Sequence, residues 1–175
     1  MKFICLIASL CALSIPAYGQ SSAPAGWRFP TDADLSGGWK EFRGTDRVPF
    51  HVRADFNGDG RHDDVWILLS TRDKRWGLFF FEVPRTGSLR VVELDVSDPD
   101  KDREVGQAQN MGVEIAPAGD HKTACGKGYW PCTKGEPMVL HLDRPGINYF
   151  QFESANSIFW WDVKSKSFKR TWISD

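Results

Sequence analysis

The chain has 175 residues, with 22 basic against 23 acidic side chains, a formal net charge of −1 and a hydrophobic fraction of 41%. A chain of that size and composition is one domain with room for a proper core. The near-neutral balance, without a Lys/Arg cluster, argues against nucleic acid and against an anionic membrane surface as partner.

The first residues read as a targeting segment. Met1-Lys2 gives a positive start, Phe3 to Ile15 is apolar and too short to span a bilayer, and Ala17-Tyr18-Gly19 places small residues at −3 and −1. Residues 1–19 are therefore expected to be a signal peptide cleaved after Gly19, with Gln20 first in a periplasmic or secreted protein. A lipid anchor on Cys11 is not expected, because bulky Leu10 stands where lipidation wants Gly or Ala. No later segment is apolar enough to cross a membrane.

Residues 20–30 form a Ser/Ala/Pro-rich leader and are expected to be loose. Residues 31–175 read as a single β-rich domain. Thr31 is a predicted N-cap with Asp34 at N3, opening a short helix that Gly37-Gly38 would end. Strand signals follow at Val48 to Ala54, Asp64 to Ser70, Trp76 to Val83 and Leu89 to Asp95, together an antiparallel meander. From Val96 to Gly135 the chain is irregular, with one short strand at Met111 to Ile115. The alternating acids Asp98, Asp100, Asp102 and Glu104 are interrupted by Pro99, Lys101 and Arg103, so they read as a solvated loop rather than a cation site. Four more strands are predicted at Met138 to Leu142, Ile147 to Phe152, Ser157 to Asp162 and Phe168 to Ile173.

Between the first two strands lies Asp55-Phe56-Asn57-Gly58-Asp59-Gly60-Arg61-His62-Asp63. Side-chain oxygens stand at loop positions 1, 3, 5 and 9, from Asp55, Asn57, Asp59 and Asp63, and the carbonyl of Arg61 stands at position 7. Ca²⁺ takes six to eight oxygens, and Gly60 permits the sharp turn that gathers them. A bare hairpin would explain the Asn-Gly and Asp-Gly dipeptides. It would not explain four extra oxygens, whose carboxylates repel unless a cation or protons neutralise them. Position 12 is Trp66 rather than a bidentate Glu, so this is not a helix–loop–helix site. The stretch resembles the strand–loop–strand calcium loops of the FG-GAP and VCBS repeat families, whose core pattern is Asp-x-Asn/Asp-Gly-Asp-Gly-x-x-Asp before an apolar strand. The resemblance covers about a dozen residues and implies a structural Ca²⁺. Those families build propeller blades from several copies; here one copy stands alone, and a propeller is not implied.

Cys125 and Cys132, spaced by Gly, Gly and Pro, read as a local disulfide. A redox pair uses a two-residue gap, and no second cysteine pair completes a zinc site. The aromatic segment from Tyr149 to Trp161 carries more rings than two strand faces need. Strict alternation would put Phe150, Phe152, Phe159 and Trp161 on a core face, leaving Tyr149 and Trp160, with loop residues Tyr129 and Trp130, as candidate contacts for a protein partner. The alternative is a sandwich in which both faces are covered.

Catalytic signals are weak. His51, His62, His121 and His141 are scattered, no nucleophile elbow or phosphate-binding loop occurs, and Glu136 with Glu153 is a carboxylate pair only if the fold brings them together. The expectation is a mainly β domain, an antiparallel sandwich or partly closed barrel of about eight strands with a short N-terminal helix. Its expected role is a non-catalytic binding or inhibitor/immunity-type module for a protein of the cell envelope. A small envelope hydrolase with a structural calcium and a purely structural envelope protein are the alternatives.

Overall fold

The computed structural model describes residues 22–44, 47–84, 88–98, 100 and 105–175. The expected signal peptide, and Pro99 with residues 101–104 of the acidic run, lie outside the described residues. The elements in chain order are β1 Trp27–Arg28, α1 Gly37–Glu41, β2 His51–Ala54, β3 Asp63–Ser70, β4 Trp76–Glu82, β5 Arg90–Val96, β6 Met111–Ala116, β7 Gly119–Lys122, α2 Ala124–Lys127, β8 Val139–Leu142, β9 Gly146–Gln151, β10 Asn156–Asp162 and β11 Ser167–Ser174. The protein is mainly β and sandwich-like, as its pattern predicts.

One sheet runs β1-β3-β4-β5, with β2 pairing β3 beside β1; the other runs β11-β10-β9-β6; β7 and β8 form a separate hairpin. Every pair is antiparallel. The strands number eleven among the described residues rather than about eight. The two with no sequence signal are β1, only two residues long, and β7, whose Gly-Asp-His-Lys carries no apolar alternation.

Period-two alternation sets the layers. In β3, Val65, Ile67 and Leu69 face inward and meet Leu78 and Phe80 of β4, Val113 of β6, and Ile147, Tyr149 and Phe159 of the opposite sheet. The other face of β3 and β4, with Leu68, Phe79 and Phe81, is covered by Ala23, Trp27 and Phe29. Residues 22–30, read from composition as loose, thus lie packed on a sheet; their rings supply what the polar flanks hide. On the far side, the β7–β8 hairpin lays Leu140 and Leu142 on Ala116, Ile158 and Ile173.

The N-terminal helix differs from its prediction. Asp32–Asp34 is a single 3₁₀ turn capped by Thr31, and Gly37-Gly38 opens α1 instead of ending it. Close packing explains this: a Cβ on Gly38 would come within 2.3 Å of the Phe152 ring. The next residue, Trp39, is fully buried and donates its indole N–H to the Met111 carbonyl at 2.7 Å.

The two sheets approach along both sides without closing a barrel. On one side the Val113 N–H donates to the Pro49 carbonyl at 2.8 Å, joining β6 to the entry of β2. On the other, Arg170 of β11 reaches Asp95 of β5 at 2.9 Å.

Candidate functional site

The loop from Asp55 to Asp63 joins β2 to β3 at one end of the sandwich. Phe56 anchors it, fully buried in the main core. The Asp55 carboxylate accepts from the backbone N–H groups of Gly58 (2.7 Å), Asp59 (3.1 Å) and Gly60 (3.0 Å). Asn57 accepts from the Asp59 N–H at 3.0 Å, and Asp59 accepts from the Arg61 N–H at 2.9 Å. Short polar side chains thereby fix their own backbone, as Asx turns do. Gly58 and Gly60 take φ of 78° and 84°, the left-handed region that a Cβ disfavours. Gly58 is doubly constrained, since a Cβ there would fall 1.8 Å from the Arg144 guanidinium. That guanidinium donates to the Asn57 carbonyl at 2.7 Å and ties the loop to the β8–β9 turn.

Asp63 differs from the other acids. As the first residue of β3 it shares the inward face with Val65, and it is completely buried. One carboxylate oxygen accepts from the Val83 N–H at 3.2 Å; the other, Oδ2, is buried with no hydrogen-bond partner. Burial above all, with smaller contributions from the charges of Asp59, Glu82 and Asp55, pushes this carboxyl up to about 7 against the pull of the Val83 N–H.

Glu82 is the member that the sequence did not reveal. The β3–β4 register pairs Asp64 with Phe81, which sets Glu82 opposite Asp63. Its carboxylate accepts from Asn57 Nδ2 at 3.4 Å and from Arg90 at 3.1 Å. The available signal was the hairpin turn after Ser70, from which the register could be counted.

Among the described residues, no three His, Cys, Asp or Glu side chains converge closely enough to form a metal cluster. Asp55 and Asp59 are turned onto loop amides, while Asp63 lies beneath them. A divalent cation nevertheless suits this donor set. Each carboxylate oxygen has lone pairs beyond the one that an amide uses, and the orphaned Asp63 oxygen is a buried acceptor with no partner, whose ionised form burial disfavours unless a cation stands beside it. Asp55, Asn57, Asp59, Asp63 and the Arg61 carbonyl are the groups that would hold Ca²⁺.

Cys125 and Cys132 are disulfide-bonded, with Cα atoms 4.9 Å apart. Of the candidate partner-binding residues, Tyr129 is exposed, and Trp130 and Trp160 are half-buried. Trp130 donates to Glu136 at 3.3 Å, and Trp160 donates to Thr171 at 3.0 Å beneath the Lys169 ammonium. Tyr149 is a correction: it is buried in the main core, and its hydroxyl accepts from the Trp76 indole at 3.1 Å. Register is the reason, because Tyr149 sits opposite Val113 on one side and Ser157 on the other, on the inward face. Glu136 and Glu153 line different cavities and form no pair.

A cavity of about 730 Å³ opens between β2, β6 and β9 and is lined in part by Phe42, Arg47, His51, Ile115, Phe150 and Glu153. His51 stacks on Trp66 with ring centroids 3.9 Å apart, and its Nε2 lies 2.8 Å from Asp64. The chain matches no protein-family model, no curated protein and no solved structure.

Proposed function

We propose that the protein is an exported, calcium-binding β-domain that acts as a non-catalytic binding module, of the inhibitor or immunity type, for a protein partner in the cell envelope. The observation that carries this reading is Asp63, a carboxylate with one oxygen buried and unbonded beneath Asp55, Asp59 and Glu82. Calcium would supply the missing positive charge and fasten β2 to β3. With three loop carboxylates, an affinity on the order of 10⁻⁴–10⁻³ M suits an extracellular module. Export is supported by the leader of residues 1–19, and binding by the open cavity, whose lining combines apolar side chains such as Phe42, Ile115 and Phe150 with polar ones such as Arg47, His51 and Glu153.

Calorimetry and thermal melts with Ca²⁺ test the metal. Calcium at a hundred times its dissociation constant should stabilise the wild type by about 2.7 kcal/mol. Asp59→Ala and Asp63→Asn should lose that response. At neutral pH Asp63→Asn should also melt higher than wild type in chelator, because a carboxyl raised in the folded state costs stability as pH rises above its ordinary value and an amide does not. Equal melts for all three proteins, with and without chelator, would leave the loop as a plain turn.

The alternative from another class is a small hydrolase, and the His51–Asp64 pair on the cavity wall favours it. Among the described residues, His51 Nδ1 has no hydroxyl or thiol bonded to it, so the pair lacks the nucleophile that such a dyad would activate.

A further inference from the structure

Resting on the binding-module reading, we propose that the cavity lined by β2, β6 and β9 receives an arginine side chain of the protein partner, held by phenylalanine rings and the carboxylate of Glu153. The rings come first. Phe150 lies in β9 and Phe152 just beyond its end, and each is seated where a glycine leaves room. A Cβ on Gly112 would come within 2.4 Å of the Phe150 ring, and one on Gly38 within 2.3 Å of the Phe152 ring. Phe42, 39% exposed, stacks on Phe152 with centroids 4.6 Å apart and planes 8° apart. Phe150 stands at 90° to Phe152, at 5.3 Å. The three rings form a corner in the cavity wall. The face of an aromatic ring is its negative side, so an open corner of this kind attracts a cation. Among the described residues, the cations that lie over rings are Lys169 and Arg170, and neither lies over these three.

Charge comes second. Among the described residues, the charged or titratable side chains that line the cavity are Arg47, His51, Glu114 and Glu153. Arg47 pairs with Glu114 at 3.5 Å, and His51 with Asp64 at 2.8 Å. Glu153 is left over, an exposed carboxylate with no hydrogen bond or ion pair among the described residues. Thr45 and Asp46 lie outside the described residues. Aromatic walls beside one uncancelled negative charge complement a cation carried on an apolar stem.

Shape selects the guanidinium. It is planar, so it can stack on a ring while its N–H fork donates to a carboxylate, whereas an ammonium is a compact point charge. The protein builds the same combination once from its own residues. Arg170 lies over the Trp172 and Phe159 rings, 4.2 and 5.1 Å from their centroids, and donates to Asp95 at 2.9 Å. In the cavity the rings and the carboxylate are in place, and the arginine comes from the partner.

The backbone supplies a clean variant. Glu153 has φ of 59°, in the left-handed region that glycine adopts without a steric cost. Glu153→Gly therefore removes the carboxylate and relieves the chain, and it should melt at or above the wild type.

The experiment titrates the mature, disulfide-bonded protein with Nα-acetylarginine N-methylamide, followed by NMR, beside the matching lysine and citrulline compounds. The arginine probe should shift the ring resonances of Phe42, Phe150 and Phe152. Citrulline, flat but neutral, should bind about tenfold more weakly, and lysine several-fold more weakly. Glu153→Gly should weaken the arginine probe about fivefold. Phe42→Leu, which keeps an apolar side chain without a π face, should weaken it about threefold. Citrulline or lysine binding as tightly as arginine, ring resonances unmoved at the probe's solubility limit, or unchanged affinity in both variants would overturn the proposal. A native envelope partner captured equally by the wild type and Glu153→Gly would refute this site and leave the binding-module reading standing. Absence of any envelope partner for the wild type would remove that reading, and the partner's arginine with it.

Discussion

Two carboxylates in this protein are displaced in opposite directions, and each displacement has its own cause. Asp34 is held well below the usual carboxylate range, chiefly because Arg28 donates to both its oxygens at 2.7 and 2.8 Å, helped by the N–H and hydroxyl of Thr31. A carboxylate lowered in the folded state stabilises above its ordinary value, and the contribution is lost as pH falls through that range. Asp34 joins the N-terminal segment to itself just beyond β1, so acid should loosen β1 from β3 below about pH 4. Hydrogen exchange across the Trp27–Ser70 pairing checks this. Asp34→Asn should show at neutral pH the weakened protection that wild type shows in acid, by on the order of 1 kcal/mol for a partly exposed pair. Asp63, pushed upward, stands at the other extreme; its burial was not read from the sequence, which began the strand at Asp64, whereas β3 starts at Asp63 and puts it in phase with the inward Val65, Ile67 and Leu69.

At the level of elements, the β2–β3 connection shows how a polar loop is held by an apolar residue. Phe56 stands at loop position 2 and is fully buried among core side chains. Phe56→Ala should cost about 3–5 kcal/mol in a denaturant melt and should broaden the loop resonances even where calcium is present. A loss below 1 kcal/mol would mean that the Asx turns alone hold the loop. The spacing of Asp, Asn and Gly declared this loop in the sequence. The phase of β9 is the reverse of the expected one, with Tyr149 rather than Phe150 in the core, because Ile147 to Phe152 is apolar or aromatic on both faces and alternation alone does not choose between them. What decides it is Gly112, which leaves room for the Phe150 ring on the outward side (a Cβ would lie 2.4 Å away) and sends Ile147 and Tyr149 to the core. Glu82 stayed hidden for a similar reason, since only the pairing register sets it against Asp63.

Across the whole molecule, each sheet needs a cover on its outer face, and the chain draws the two covers from segments that composition describes poorly. Trp27 and Phe29 come from a Ser/Ala/Pro stretch, and Leu140 and Leu142 come from a hairpin braced by the disulfide loop and by Lys127, which donates to the Ile173 carbonyl at 2.9 Å. The sandwich class and the strand that carries Leu140 and Leu142 followed from alternation; β1 and β7 did not, because a two-residue strand and Gly-Asp-His-Lys have no apolar period to detect.

Asp63 and Asp64 are consecutive, and β-pleating turns them to opposite sides of one strand: Asp63 toward the acidic cluster, Asp64 toward His51 and Arg53. A single peptide unit therefore links the proposed calcium site to His51 on the wall of the cavity beside β2. Coupling between two such sites is reciprocal. Adding calcium should shift the His51 ring resonances as well as those of the loop, and unchanged ring resonances would show that the two sides of the strand do not communicate.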